Sequence, residues 1–215
     1  VPGVSTDKLD KICYEYIRDN KGYSAPLFYR GFPKSCCTST NHIVCHGIPK
    51  DKILKEGDII NVDVTCILDG FYGDSCRMYT VGKISKDAKK LIDITKKCLE
   101  ASISNLKPFD PLNVIGDTIE SIAKPEGYSI VEMFGGHGVG NQFHEEPFVY
   151  HQKRNEKLMI CAPGMVFTIE PMINIGTHEC AIQKDGWTAK TKDGKLSAQW
   201  EHTICIHDNK IEILT

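Results

Sequence analysis

The chain has 215 residues, which is enough for one substantial domain with a hydrophobic core. Its 26 basic and 28 acidic residues give a formal net charge of −2, so no strong positive field favours nucleic-acid binding. No apolar run is long enough to span a bilayer, and the first residues lack the pattern of a signal peptide. We therefore predict a soluble protein with a single domain over residues 1–215, and neither membrane nor nucleic acid as a direct partner.

The 10 cysteines lie scattered along the chain and include no Cys-x-x-Cys pair. A chain of this length does not need disulfide bonds to fold, so free thiols in a reducing compartment are expected. This cysteine usage predicts a cytoplasmic location.

In chain order, the first predicted element is a helix capped by Thr6, with apolar residues at helical spacing and Gly22 beyond its end. These apolar residues are Leu9, Ile12, Cys13, Tyr16 and Ile17. Residues 24–40 are irregular and aromatic, which indicates a loop or strand. Two further helices are predicted, over 85–107 and from Asp110-Pro111 onward. Strands are predicted over 43–46, 59–68, 71–81, 166–175, 187–191, 199–207 and 211–214. This order predicts an α+β domain with two halves.

Two aspartates, Asp63 and Asp74, lie in strand-like runs on either side of Asp69-Gly70. An Asp-Gly pair between apolar and aromatic residues is a strong signal for a two-residue hairpin turn. If Leu68 pairs with Phe71 across that turn, the two aspartates become diagonal neighbours on one face. Diagonal neighbours lie roughly 7–8 Å apart between backbones, so the two carboxylates converge.

The same register places Thr65 opposite Asp74, and Asp63 opposite Cys76. The intervening residues point the other way, and we expect them to face a core: Val62, Val64 and Cys66. Taken alone, this alternation also fits a half-exposed strand whose polar side faces water.

An acid on one face of an otherwise apolar strand occurs twice more. Glu170 ends the sequence Phe-Thr-Ile-Glu, and Glu201 begins the sequence Glu-His-Thr-Ile. Three strands with the same arrangement favour a shared site over three unrelated solvated faces. His137, within Gly-Gly-His-Gly-Val-Gly, adds an imidazole. Four carboxylates and one imidazole exceed the needs of one metal ion, which predicts a two-metal hydrolase.

Six segments, in order along nearly the whole chain, together resemble the methionine aminopeptidases of type I. They are Cys-His-Gly-Ile-Pro at 45–49, the aspartate pair, Gly-His-Gly-Val-Gly at 136–140, Phe-His-Glu-Glu-Pro at 143–147, Phe-Thr-Ile-Glu-Pro-Met at 167–172 and Ser-Ala-Gln-Trp-Glu-His-Thr at 197–203. The resemblance implies the pita-bread fold, in which two pseudo-symmetric halves enclose a dinuclear metal site. It also implies removal of the N-terminal methionine from nascent proteins and peptides when the second residue is small.

The resemblance also implies how the five ligands divide. Asp63 would chelate one ion, His137 and Glu170 would complete the second, and Asp74 and Glu201 would bridge both. Glu170 would also act as a general base. Two divalent ions are expected, and manganese, iron, cobalt and zinc all suit these ligands. A monovalent cation is expected near Asn61, Val64 and Ser197.

Two further histidines have expected roles by the same resemblance. His144 would donate a hydrogen bond to the developing oxyanion, and His46 would contact the substrate near the scissile amide. A structural role is the alternative for His46. The expected walls of the methionine pocket are Tyr29, Phe32, Cys37, Phe143 and Trp187. Aromatic rings and a thiol suit a thioether side chain, although Phe32 and Cys37 also fit an ordinary core.

By resemblance, the expected partners are peptides and nascent chains that begin with methionine, and the ribosome; the expected oligomeric state is a monomer. Relatives usually have another helix before Pro2, so the sequence is expected to lack an N-terminal segment, which leaves an organellar location open. Two alternatives stay open: an Xaa-Pro peptidase and a non-catalytic binding module of the same fold.

Overall fold

The computed structural model describes residues 1–215 and contains both helices and sheets, in agreement with the predicted α+β class. The helices are α1 (Thr6–Asp19), α2 (Lys86–Asn105) and α3 (Asn113–Ala123). The strands are β1 (Tyr23–Ser24), β2 (Cys37–Thr40), β3 (Ile43–Cys45), β4 (Ile59–Leu68), β5 (Phe71–Thr80), β6 (Ser129–Ile130), β7 (Gly136–Gly138), β8 (Glu145–Val149), β9 (Val166–Ile169), β10 (Met172–Asn174), β11 (Cys180–Ile182), β12 (Ala189–Thr191), β13 (Ser197–Gln199), β14 (His202–Ile206) and β15 (Ile211–Ile213). No helix has both the length and the apolar character that a membrane crossing requires.

Helix α1 is capped by Ser5 and not, as predicted, by Thr6. The Ser5 hydroxyl accepts a hydrogen bond from the Lys8 N–H at 3.2 Å. The predicted apolar stripe is also partly wrong, because Ile17 is buried whereas Tyr16 is 71% exposed. The face of the helix that turns inward contains Cys13 and Ile17 of that stripe together with Asp10, whose carboxylate accepts hydrogen bonds from backbone N–H groups of a neighbouring segment.

The β4–β5 hairpin has the predicted register, with Leu68 paired to Phe71 across the turn. Asp63 therefore lies opposite Cys76, and Thr65 opposite Asp74. The prediction for the reverse face is confirmed in part, because Val62 packs against a small core cluster, but Val62, Val64 and Cys66 are all only half-buried. The face with the aspartates is the more deeply buried one, since strands of the second half cover it.

Strands β1 and β2 pair with β4 along one edge, and β5 pairs along the other. The second half contains a five-stranded sheet in the order β15-β14-β9-β7-β8 and a three-stranded sheet in the order β13-β10-β6. A third small sheet has the order β11-β12-β3. Helices α2 and α3 pack together beside these strands and form the largest core, which includes Leu91, Leu99, Ile115, Ile119, Phe167 and Ile204.

Two strands that the sequence predicts as continuous are interrupted at an acid. The predicted strand 166–175 breaks between Ile169 and Met172, and the predicted strand 199–207 breaks at Trp200 and Glu201. Pro171 explains the first break, because proline has no N–H to donate to a sheet. Both predicted ligands, Glu170 and Glu201, therefore lie where a strand stops.

Other boundaries differ by a few residues, and several short strands were not predicted. Helix α3 begins at Asn113 rather than at Asp110, because the Asp110 carboxylate accepts a hydrogen bond from the Lys107 N–H at 2.9 Å and closes a turn. The strands without a prediction are β1, β6, β7, β8 and β11, which are too short or too rich in glycine to show a period, whereas β2 lies within the segment 24–40 predicted as a loop or strand.

Candidate active site

The twelve side chains predicted to form the site all line one cavity of about 340 Å³. They are Tyr29, Phe32, Cys37, His46, Asp63, Asp74, His137, Phe143, His144, Glu170, Trp187 and Glu201. This volume lies within the usual range for small-ligand sites. Both halves of the fold contribute, because the hairpin supplies the two aspartates and the second half supplies His137, Glu170 and Glu201.

Strand β14 is held against the hairpin beside Asp74. The Thr203 hydroxyl donates to the main-chain carbonyl of Asp74 at 2.8 Å and accepts from the N–H of the same residue at 3.2 Å. Two residues earlier, the Glu201 N–H donates to the Cys76 carbonyl at 2.9 Å. These bonds bring Glu201 beside Asp74, and the ligand atoms of Asp74, His137 and Glu201 lie within 4.8 Å of one another.

Strand β7 places His137 between two neighbouring strands with little space to spare. A Cβ atom on Gly136 would lie 2.2 Å from the Thr168 carbonyl oxygen, and one on Gly138 would lie 2.1 Å from the Glu146 carbonyl oxygen. Only glycine fits at either position, which explains the glycines around this histidine. The His137 N–H donates to the Thr168 hydroxyl at 3.0 Å, and that hydroxyl donates to the Glu170 carboxylate at 2.9 Å.

The His137 ring presents a lone pair to two carboxylates. Its Nδ1 lies 3.0 Å from the Gly138 carbonyl oxygen, which only accepts, so Nδ1 bears the proton. Burial lowers the pKa of His137, which favours the neutral ring at neutral pH. Its Nε2 then lies 3.7 Å from an oxygen of Asp74 and 3.7 Å from an oxygen of Glu170 without a proton to share. A cation bound between the His137 Nε2 and the oxygens of Asp74 and Glu170 would remove the electrostatic repulsion among these three acceptors.

The pKa values of the carboxylates also indicate that a positive charge would stabilise the site. Burial raises the pKa values of Asp63, Glu170 and Glu201 well above their ordinary range, and repulsion from neighbouring carboxylates raises them further. The pKa of Asp74 is raised to about 7 by burial, although a hydrogen bond from the Thr65 hydroxyl at 2.6 Å opposes the shift. Oxygen-rich ligands with one imidazole suit a divalent metal ion, so the residues fit such a cofactor.

Two other histidines face the cavity near this cluster. The ring centroids of His144 and His137 lie 4.2 Å apart, and His144 Nδ1 lies 3.1 Å from the Tyr29 hydroxyl. His46 has a positive φ of 55°, an uncommon conformation for a residue other than glycine that often occurs at functional sites. Burial lowers the pKa of His46 to about 4 and also lowers that of His144, so both rings are neutral near pH 7.

Aromatic side chains enclose the rest of the cavity. Phe32 and Trp187 meet edge to face with ring centroids 5.2 Å apart, and Tyr29 lies 4.8 Å from Phe143. The Cys37 thiol is buried, and burial raises its pKa well above the ordinary value, so it stays protonated. The result is an apolar pocket adjacent to the carboxylates.

A comparison of the sequence with models of known protein families agrees with the metal-binding chemistry that the site geometry indicates. Residues 1–208 match the model of metallopeptidase family M24. The chain belongs to this family. The family assignment confirms the resemblance and the hydrolase class inferred from the sequence motifs.

The individual proteins similar to this chain include several methionine aminopeptidases. The chain is 51% identical to a methionine aminopeptidase of Escherichia coli strain K12, an alignment that covers all of this chain and 82% of the relative. It is 46% identical to methionine aminopeptidase 2 of Mycobacterium tuberculosis, over all of this chain and 75% of the relative. The crystal structure of methionine aminopeptidase from Rickettsia prowazekii superimposes with a TM-score of 0.96 at 47% identity, covering 99% of this chain and 86% of that one.

A more distant M24 structure confirms the fold alone. Prolidase from Pyrococcus furiosus superimposes with a TM-score of 0.76 at 21% identity, over all of this chain and 56% of that one. The pita-bread fold predicted from the motifs is therefore confirmed.

Two residues that contact Glu170 had no predicted role, namely Gln199 and His151. Gln199 Nε2 donates to the Glu170 carboxylate at 3.2 Å, and Asn61 donates to the Gln199 side-chain oxygen at 3.3 Å. The fully buried His151 accepts the Glu170 N–H through Nε2 at 3.2 Å. Gln199 precedes Glu201 by two positions, a spacing that places both on one face of the predicted strand 199–207 and so could have indicated Gln199 as a neighbour of the site. Nothing in the sequence around His151 indicates its contact, and no role was predicted for it.

Proposed function

We propose that the protein hydrolyses the peptide bond after an N-terminal methionine when the second residue is small, acting on peptides and nascent chains. The observation that supports this most directly is the carboxylate and imidazole cluster beside an aromatic pocket. The 51% identity to a methionine aminopeptidase over the whole chain supports the same activity. An N-terminal thioether side chain would occupy the aromatic pocket, where sulfur makes favourable contacts with rings.

The proposed cofactor is a pair of divalent ions, for which manganese, iron, cobalt and zinc are all suitable. Asp63 would hold one ion, His137 and Glu170 the other, and Asp74 and Glu201 both. When bound, such ions supply a Lewis acid and a water of lowered pKa. A monovalent cation is proposed near Asn61, Val64 and Ser197, because the buried Oδ1 of Asn61 and Oγ of Ser197 have no hydrogen-bond partner.

Glu170 is proposed as the group that accepts the proton of the attacking water and passes it to the leaving amine. One of its carboxylate oxygens accepts from Thr168 and the other from Gln199, which fixes its orientation. His144 is proposed to donate to the developing oxyanion. If the Tyr29 hydroxyl donates to His144 Nδ1, then Nε2 bears the hydrogen and is free to donate. His46 is proposed to contact the substrate near the scissile amide.

We expect peptides that begin Met-Gly, Met-Ala or Met-Ser to be cleaved, and Met-Lys or Met-Phe peptides to be cleaved at least roughly 10²-fold less efficiently. A bulky second residue clashes with the wall of an enclosed site, and such clashes discriminate more strongly than an added favourable contact does. The measurement is kcat/KM across the series by chromatography of the released methionine. Equal turnover across the series would contradict the proposed specificity.

The same assay distinguishes the two alternatives. An Xaa-Pro peptidase would release the first residue of Xaa-Pro peptides and leave Met-Ala intact, and a binding module would cleave neither. The likeness to prolidase is limited to the fold at 21% identity, so we favour the methionine-specific activity.

We also propose a cellular setting for the enzyme. All ten cysteines are free thiols, which suits the cytoplasm. We further propose one catalytic domain over residues 1–215, active as a monomer, with nascent chains at the ribosome as its natural substrates.

A further inference from the structure

The inward face of α1 binds the segment that leads into strand β2. The Asp10 carboxylate accepts hydrogen bonds from the Ser35 N–H at 2.7 Å, the Ser35 hydroxyl at 2.6 Å and the Cys36 N–H at 3.2 Å. One turn earlier, Lys34 Nζ lies 2.7 Å from the Asp7 carboxylate. Four polar contacts therefore fix residues 34–36 against this face of the helix.

Cys13 follows Asp10 by one helical turn, and so lies on the same face. The Cys36 sulfur lies 3.8 Å from the Asp10 carboxylate, so the Cys13 and Cys36 side chains are neighbours at this face of the helix, and the Cys36 thiol is the main cause of the lowered pKa of Cys13. Cys36 is fully buried, whereas Cys13 is half-buried and accessible to a small molecule. None of the other eight cysteines has a thiol hydrogen-bonded to another thiol.

We propose that Cys13 and Cys36 form a site of reversible oxidation, at which a peroxide converts the two thiols into a disulfide bond. The Cys13 thiolate attacks one peroxide oxygen, which breaks the O–O bond, releases hydroxide and leaves a sulfenic acid. The Cys36 sulfur then attacks the Cys13 sulfur, the S–O bond breaks, and the Cys36 proton leaves with the departing hydroxide as water. In total, two thiols and one hydrogen peroxide give one disulfide and two waters.

The pKa values of the two thiols differ, and the difference favours Cys13 as the thiol that attacks the peroxide. The hydrogen bond from Cys36 lowers the pKa of Cys13, which favours the attacking thiolate. The same contact and burial raise the pKa of Cys36, which keeps its proton until the second step. The neighbouring Cys37 lines the active-site cavity instead, and so is directed away from the helix.

The bond would have a consequence for the candidate active site. It would close a covalent loop over residues 13–36, which includes Tyr29 and Phe32 of the proposed methionine pocket. It would also fix the backbone immediately before Cys37. Oxidation would thereby restrain one wall of the pocket without touching a proposed metal ligand.

The test is to treat the full chain, isolated with its bound metals, with hydrogen peroxide, block the remaining thiols and digest with trypsin without reductant. We expect mass spectrometry to show residues 12–18 linked to residues 35–50, with the mass of the two peptides less two hydrogens. Dithiothreitol should remove the linked species. Fragmentation of the linked peptide should place the bond at Cys36 rather than at Cys37 or Cys45.

Variants make the assignment independent of fragmentation. Cys13→Ser should abolish the linked species, and Cys66→Ser is the matched control, because Cys66 is half-buried like Cys13 but has no thiol partner. Cys36→Ser should also abolish it, while Cys37→Ser should not. A bond located at Cys37, an unchanged yield in Cys13→Ser, or conversion of Cys13 to sulfinic acid without any linked peptide would overturn the proposal. None of these readouts depends on peptidase activity, so the proposed function can fail without affecting the result.

Discussion

Removal of the bound metal with a chelator should reduce peptidase activity to background, and addition of a divalent transition metal should restore it. Four carboxylates and one imidazole surround the reacting position, and none of them by itself lowers the pKa of water enough to supply a nucleophile near neutral pH. The measurement is release of methionine from Met-Ala-Ser before and after chelation, with metal content determined by elemental analysis. Full activity in rigorously metal-free protein would contradict the metal-dependent mechanism.

The metal-free protein should also become less stable as the pH rises. The folded-state pKa values of Asp63, Glu170 and Glu201 are raised well above the values of exposed carboxylates, and that of Asp74 is raised to about 7. A raised folded pKa contributes stability below the unfolded pKa, and this contribution is lost as the pH rises through the folded value. We therefore expect the Tm of the metal-free protein to fall between about pH 4 and pH 8.

The metal-loaded protein is the control for this pH dependence, since bound cations neutralise the cluster and should flatten the fall in Tm. Asp74→Asn removes one charge from the empty site and should weaken the fall in the metal-free protein. A Tm of the metal-free wild type that stays constant or rises over this range would show that the carboxylates do not repel one another as the geometry indicates.

The hairpin shows how far local sequence rules extend. Its register follows from one Asp-Gly turn and the two-residue period of strands, both of which involve only neighbours in the chain. These local rules do not determine which face of the hairpin is buried, because burial depends on packing against β14, which is more than one hundred residues away in the sequence. The prediction was therefore right about the register that brings Asp63 and Asp74 together and only partly right about the reverse face, where Val62 packs against a core but Val62, Val64 and Cys66 are all only half-buried.

Helix α1 illustrates a second limit. Hydrophobic periodicity selected a face that includes Tyr16, yet the inward face is the one with Asp10, whose carboxylate accepts three N–H and O–H groups from residues 35 and 36. Polar contacts of this kind have no periodic signature. The same holds for His151, whose partner is a backbone N–H, so neither contact could be read from composition or spacing.

The candidate site was easier to predict than its surroundings. Several of its residues have a distinctive local sequence, such as His137 between two glycines and Glu170 before a proline, and all twelve line one cavity. The divisions of role among them stay predictions, because the geometry brings Asp74, His137 and Glu201 together without showing which atoms share an ion.

Substitution of one proposed ligand and one proposed hydrogen-bond donor should separate these roles. Glu201→Ala removes a proposed bridge to both ions, so metal content and activity should fall together. His144→Ala should leave metal content nearly unchanged and lower kcat by roughly 10²–10³, the usual cost of losing one oxyanion donor. Because that hydrogen bond strengthens only in the transition state, KM should change little.

Elemental analysis and steady-state kinetics on Met-Ala-Ser, performed on the same preparations, distinguish the outcomes. His207→Ala is the matched control, because that histidine is half-exposed and pairs with Glu212 away from the cavity, so both metal content and kcat should be retained. Retention of metal content and kcat in His207→Ala would show that the loss of a histidine alone does not disturb the site. If His144→Ala loses metal as Glu201→Ala does, then His144 is itself a ligand, since its ring lies only 4.2 Å from that of His137. The proposed division between metal-binding and oxyanion-stabilising residues would then be wrong.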